Sequence, residues 1–285
     1  MSHTPLQAAS RERALAKLLP QNGLLAALPP EVRTRLLPHL GLVNLRARHA
    51  LLEHGGTSVR AFFPVAGLVS LTREFPDGSR GQAALVGREG VLGLPLFMSG
   101  AEMPTSAVVQ CTGYSLALGR EPLIEEWSRG GVFMRVLLRY ASLLQSQVSQ
   151  LAKCRSEHPV QQQLCRLILM TTEQLTGQDV ALPQDFVPRL LGVSADEVDA
   201  SVRSLRLDGA LTVRHDGSLV VQDRSLLQAR ACECERCIRD EYHRSLPALG
   251  DAESPAISIR RLGGPWVPQR GLDASPSDPE QANPC

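Results

Sequence analysis

Apolar residues Leu24, Leu25, Leu28, Val32, Leu36, Leu37 and Leu40 recur at helical spacing, with Pro29-Pro30 between two short helices and Pro30 suited to the first turn of the second. Ahead of them, residues 1–22 form a lead-in with a helix expected from Arg11 to Leu19, ending at Pro20. From about Gly41 to Leu118 the texture changes to short apolar runs punctuated by Gly, Pro and Asp, such as Gly67-Leu68-Val69-Ser70-Leu71-Thr72 and Tyr114-Ser115-Leu116-Ala117-Leu118. Pro76-Asp77-Gly78-Ser79 between two such runs is a hairpin signal. Strands of this length and spacing predict a sandwich or jelly-roll barrel.

The clearest helix runs from Gly131 to Cys154. Phe133, Leu137, Tyr140, Leu144, Gln147 and Leu151 follow alternating steps of four and three, the pattern of a coiled-coil seam with one polar residue. The expectation is a two-chain seam; the alternative is a helix packed on its own β-domain. A second helix is expected over Val160 to Leu175, closed by Thr176-Gly177. Then come two short helical patterns, Phe186 to Leu191 and Ala195 to Leu207, joined by Gly192-Val193. A hairpin follows (Leu211-Thr212-Val213, Asp216-Gly217, Leu219-Val220-Val221), and a last helix from Ser225 to about Leu246. Helix, Gly turn, helix, hairpin is a winged helix-turn-helix layout. Residues 247–285 hold seven Pro and little periodic apolar content, so a disordered tail is expected.

The chain has 285 residues, 43% of them hydrophobic, enough for one or two buried cores. No apolar run approaches a membrane span, and the N-terminus carries no secretion signal, so the expectation is a cytoplasmic protein with no membrane partner. Net charge is +1, but unevenly spread: residues 1–150 carry 15 basic and 10 acidic side chains, residues 151–285 carry 15 and 19. There is no nucleophile elbow, phosphate loop or metal-ligand spacing, so neither an enzyme nor a cofactor is expected.

The order of elements resembles that of the Crp/Fnr family of bacterial transcription regulators. The resemblance covers roughly Gly23 to Leu246. It is carried by Val59-Arg60-Ala61-Phe62-Phe63-Pro64 with Gly67-Leu68-Val69-Ser70-Leu71, by Val86-Gly87-Arg88-Glu89-Gly90-Val91-Leu92-Gly93, and by Leu190-Leu191-Gly192-Val193-Ser194. Ala229-Arg230-Ala231-Cys232-Glu233-Cys234 looks like the C-terminal signature of one subgroup. The resemblance implies an α+β chain: a cyclic-nucleotide-binding-like β-roll (jelly-roll) sensor over 23–128, a dimerisation helix over 129–154 and a winged helix-turn-helix over 155–246. It implies a homodimer, double-stranded DNA as partner, an unknown small-molecule effector, and RNA polymerase as a further candidate partner.

Family members that bind cyclic nucleotides hold the ribose with a Gly-Glu pair and the phosphate with an Arg-Ser-Ala run. The matching pocket positions are Gly93, Leu94, Thr105, Ser106 and Ala107. Leu94 stands near the place of the Glu and Thr105 at that of the Arg, so a buried phosphate would lack its counter-ion and a cyclic nucleotide is not expected. The expectation is a more apolar ligand or a pocket filled by side chains. The first cysteine is Cys111, which gives no support to an N-terminal iron–sulfur cluster, and His39, His49 and His54 receive no haem role.

In the family the second helix of the motif opens with Ser-Arg-Glu and carries a further Arg one turn later. Here those positions are Ser194, Ala195, Asp196 and Ala200, so both arginines are gone. The DNA-facing candidates are Gln184, Arg189, Ser194, Asp196, Arg203, Arg206, Arg214 and His215, in a segment (182–246) with 9 basic and 11 acidic side chains. Weak or unusual operator reading is therefore expected. Pro188, about one turn beyond a helix start near Gln184, would cost ~3 kcal/mol in a helix interior. The second reading is a ligand-sensing or protein-interaction dimer whose helix-turn-helix has lost sequence-specific reading.

Cys232-Glu233-Cys234-Glu235-Arg236-Cys237 has the look of a metal motif. On a helix, however, Cys232 and Cys234 stand about 200° apart. Cys234, Cys237 and Glu241 share a face but make only three ligands where structural zinc takes four. No metal site or redox role is expected there; the segment is read as a helix packing thiols against the wing.

Overall fold

The structure is a computed structural model that describes residues 5–74, 80–98, 102–175 and 182–245. The expected hairpin turn at Pro76–Ser79, the helix end at Thr176-Gly177 and the tail over 247–285 lie outside the described residues.

Three helices lead in: α1 (Pro5–Leu18), α2 (Gly23–Ala26) and α3 (Pro30–Leu36). Pro30 occupies the first turn of α3 as its fixed φ favours. Asn22 caps α2, its Oδ1 accepting from Leu25 N at 3.2 Å. Its amide Nδ2 donates to the carbonyls of Pro64 and Gly90, each at 2.9 Å, and the residue is fully buried. One amide thus fastens the lead-in to a strand of the sheet at Pro64 and to the loop that carries Gly90.

That sheet is antiparallel, with β1 (Leu40–Leu45), β2 (Ala50–Leu52), β3 (Arg60–Glu74), β4 (Arg80–Val86) and β5 (Ser106–Gly119). The order is β1-β5-β3-β4, with β2 also on β5. The two long strands β3 and β5 curl because their register slips three times between Pro64 and Val69. Gly67 sits there at φ +90°, where an added Cβ would meet the carbonyl oxygen of Cys111 at 2.7 Å. The sheet fits the expected β-roll, and a short helix, α4 (Pro95–Met98), precedes β5.

Helix α5 (Arg120–Ser128) presents Glu126, which is 4% exposed, to Arg35 on α3. Arg35 Nε and an Nη donate to the two carboxylate oxygens at 2.9 and 2.6 Å. That hydrogen bonding, then the charges of Arg35 and Arg129, hold the Glu126 carboxyl below its ordinary pKa despite burial. A depressed folded pKa stabilises the fold above the unfolded value, near about 4.3, and the contribution disappears as pH falls through the folded one. Glu126→Gln is therefore expected to lower the melting temperature at pH 7, with the gap from the parent closing toward pH 3. A gap that stays constant in thermal melts across that range would contradict the pairing.

Helix α6 (Gly131–Glu157) spans 27 residues and leads through His158-Pro159 into α7 (Val160–Gln174). Beyond lie β6 (Leu182–Pro183), a 3-10 turn (Gln184–Phe186), α8 (Val187–Leu191), α9 (Ala195–Leu207), β7 (Leu211–Val213) and β8 (Ser218–Val221). The second sheet has the order β6-β8-β7. The chain's last described part departs from expectation: two helices, α10 (Arg224–Arg230) and α11 (Cys234–Ser245), replace one. Ala231, at φ −78° and ψ 154°, is extended and breaks the run. One continuous set of buried apolar residues, from Leu15 to Tyr242, joins the β-roll, α6 and the C-terminal helices.

Candidate nucleic-acid interface

The segment from α7 to β8 is a helix-turn-helix with a hairpin wing. Gly192 ends α8 in the left-handed conformation at φ 69°, and its N–H donates to the Pro188 carbonyl at 2.8 Å. Pro188 is not interior: α8 starts at Val187, so the proline stands in the first turn, where its missing donor costs little. The 3-10 turn at Gln184–Phe186 accounts for the helical look of the residues before it.

Ser194 caps α9 within a full capping box. Its Oγ accepts from Glu197 N at 3.3 Å, while Glu197 Oε2 accepts from Ser194 N at 2.9 Å and from Ser194 Oγ at 2.7 Å. These bonds, first that of the Ser194 side chain, hold the Glu197 carboxyl below its usual range. Asp199 accepts from Gln184 Nε2 at 2.7 Å. Two of the three carboxylates in the first turns of α9 are thus engaged locally, and Gln184 and Ser194 serve the motif itself.

Val198, Val202 and Leu205 are buried beneath α9. Asp196, Ala200, Arg203 and Leu207 fall on the outward stripe, three and four residues apart, with Leu207 90% exposed. Arg189, Arg206, Arg214 and His215 are also at least partly exposed, the last two in the β7–β8 turn. The stripe therefore offers one cation on α9 itself, flanked by arginines on α8, at the end of α9 and in the wing.

In the β-roll, Gly93 adopts φ +95° with Leu96 Cδ1 3.2 Å from where a Cβ would stand. Leu94, Thr105 and Ser106 are half-buried and Ala107 is buried. Ser106 Oγ accepts from His54 N at 3.1 Å, and Ala107 pairs with Leu71 and Leu52 in the sheet. Leu96, Phe97 and Met103 are buried on the segments that carry these positions. Within the sheet, Gln110 Nε2 donates to Ser70 Oγ at 2.8 Å, while Gln110 Oε1 and Gln82 Nε2 are buried without a partner among the described residues.

On α6, Phe133, Leu137, Tyr140, Gln147 and Leu151 are buried within the chain, and Leu144 is partly buried against the same core. That stripe faces the chain's own elements, chiefly β4 and α11. Gln147 Oε1 accepts from Leu85 N on β4 at 2.8 Å, so its polarity serves the sheet. A second stripe lies one residue along, at Met134, Leu138, Ala141, Gln145, Val148 and Ala152, again in steps of four and three. Leu138 and Val148 are 44% and 38% exposed, among the few large apolar side chains left open.

The cysteines also differ from expectation. Because Ala231 is extended and α11 starts only at Cys234, Cys232 and Cys234 do not share one helix, and their sulfurs come together. They meet Cys154 and His158, one turn apart at the end of α6, not the wing. Cys237 is exposed and apart from this group. Cys154 followed four residues later by His158 at a helix end is the signal in the sequence that points to these partners.

No family model matches the chain, and no curated protein matches it. Solved structures do. FixK2 from Bradyrhizobium japonicum superposes with a TM-score of 0.58 at 16% identity, over 68% of this chain and 98% of that one. A CRP-family transcriptional regulator from Thermus thermophilus gives 0.56 at 13%, over 66% and 96%. The c-di-GMP-responsive global regulator CLP from Xanthomonas campestris gives 0.53 at 16%, over 68% and 99%.

Proposed function

We propose that this chain, which has the fold of the CRP/FNR transcription regulators, acts as a cytoplasmic homodimer that binds double-stranded DNA and answers a signal received in its β-roll. The observation that carries this reading is the second stripe of α6. A long helix already packed on its own domain keeps a further apolar stripe in strict four-three steps, and a second copy of the same helix satisfies it. Two-fold pairing along α6 gives each dimer two α9 helices and doubles a cationic footprint that is thin in one chain. Among the described residues no helix is long and apolar enough to cross a membrane.

The effector is not read as a cyclic nucleotide. Half-buried Thr105 and Leu94 offer no charge at the phosphate and ribose places, and a buried phosphate needs one. Arg203, mid-helix on the outward stripe, is read as a phosphate ligand. Arg203→Ala is expected to weaken DNA binding about equally across sequences and to reduce the salt slope of log K by ~1 for each phosphate no longer neutralised. Fluorescence anisotropy over a salt series checks this; binding of the parent that does not weaken with salt would contradict phosphate recognition altogether.

A second reading, a dimer whose α9 meets a protein, is favoured by one observation. The stripe on α9 ends in Leu207, 90% exposed, and the helix holds Ala195 and Ala200 where base-reading arginines would stand.

A further inference from the structure

We propose that Cys154, His158, Cys232 and Cys234 form a structural zinc site that staples the end of α6 to the junction of α10 and α11. Their ligand atoms all lie within 4.8 Å of one another. Cys154 Sγ is 3.5 Å from Cys232 Sγ, and Cys234 Sγ is 3.5 Å from His158 Nδ1. A tetrahedral zinc ion with bonds of ~2.3 Å to sulfur and ~2.0 Å to nitrogen sets its ligands about 3.5–3.8 Å apart, and the two separations of 3.5 Å match that spacing, with the other pairs within 4.8 Å. The same spacing is too tight for the cysteines of an iron–sulfur cluster, which must straddle several iron atoms. Three thiols and one imidazole are a donor set of a closed zinc site, with no open position for chemistry.

The surroundings carry the same assignment. Cys154 and Cys234 are fully buried and Cys232 is 6% exposed, so water does not compete for the sulfurs. His158 presents Nδ1 to the group while its Nε2 stands 3.4 Å from Glu233 Oε2, the carboxylate–histidine arrangement that fixes the tautomer of a metal-bound ring. Gln150 Nε2 donates to Cys234 Sγ at 3.1 Å, as amides do toward bound thiolates. Three thiolates and an imidazole around Zn2+ leave one net negative charge, which a nearby cation stabilises further. Arg166 is placed to offset it: it is 3% exposed, close enough for its charge to favour the Cys154 thiolate, and its Nε is buried without a partner among the described residues. Its one side-chain hydrogen bond among the described residues goes to Met170 Sδ at 3.4 Å, and it has no carboxylate partner there. A buried guanidinium without a counter-charge is costly, and an anionic metal site resolves it.

The site joins residues separated by more than seventy positions and closes a loop that contains the whole helix-turn-helix. Bound zinc would therefore fix the winged motif against α6.

The test uses the full chain, purified under reducing conditions and stripped of metal. Cobalt(II) is titrated in as a spectroscopic stand-in for zinc. The expected result is one equivalent bound per chain, with a thiolate-to-cobalt charge-transfer band and the visible bands of a tetrahedral ion, displaced by one equivalent of zinc. Cys154→Ser and Cys234→Ser should lose the charge-transfer signal in part or whole, while Cys237→Ser keeps it in full. Metal analysis of the untreated protein should return zinc near one per chain. Absence of the band in the reduced parent, which needs no variant to fold, overturns the proposal. So does an undiminished band in Cys154→Ser, or an iron–sulfur chromophore in place of a single ion.

Discussion

Leu138→Glu combined with Val148→Glu is expected to convert the protein to a monomer that keeps its fold. Both side chains stand on the exposed stripe of α6, so neither supports the chain's own core. In a parallel two-helix seam each would meet its counterpart, and the pair of changes would place four carboxylates in one apolar strip. Taking ~1.5 kcal/mol for each uncompensated charge, association weakens by about 6 kcal/mol, or roughly 10^4-fold. Light scattering after size exclusion should then report a mass near 30.9 kDa, half that of the parent. DNA affinity should fall with it, because two half-sites read by separate chains no longer share one binding event. A double variant that remains a dimer would place the interface elsewhere.

The second large effect separates two neighbouring glutamines. Gln147→Leu keeps the volume but leaves the buried N–H of Leu85 without its acceptor, at a cost of about 1–3 kcal/mol. For a body of this size that lowers the melting temperature by about 2–4 °C per kcal/mol. Gln145→Leu, on the exposed stripe, should leave the unfolding of the protomer nearly unchanged and tighten the dimer, since it removes the polar residue from the seam. Denaturant melts of both variants, each read beside its dimer dissociation constant, check the contrast. If Gln147→Leu instead alters dimerisation with no loss of protomer stability, α6 is turned by one residue from this orientation.

That one-residue phase shows how far the sequence can be read. The element order, the glycine turn at Gly192 and the cap at Ser194 are legible because each depends on local chemistry: left-handed φ, an N-cap hydroxyl, a period of 3.6. The existence of a four-three stripe on α6 is legible too. Which stripe turns inward is not, because two adjacent stripes are apolar and the positions of β4 and α11, distant in the chain, decide between them. Size is the available clue: Phe133 and Tyr140, the bulky aromatics, go inward, and the smaller Ala141 and Ala152 stay out.

The remaining departures have the same character. Pro188 reads as a helix-interior residue in the sequence because the 3-10 turn Gln184–Phe186 runs directly into α8 at Val187, so the helix start is placed one turn too early. Nothing in the composition of Ala231-Cys232-Glu233 marks a break, with neither Gly nor Pro, so the interruption that lets Cys232 and Cys234 meet emerges only from packing. Their partners on α6 are distant in the chain, as is the reach of Asn22 to Pro64 and Gly90. Periodicity carries no information about pairings of that kind.

The measurement that bears most directly on the regulator reading is selection of binding sites from a random-sequence duplex library by the purified full-length protein. Paired α9 helices related by a two-fold axis predict enrichment of an inverted repeat whose half-sites lie about one helical turn apart. Lost arginines at Ala195 and Ala200 predict that this repeat is degenerate at the positions such side chains would read. Recovery of no motif, or of a single unrepeated half-site, would contradict it.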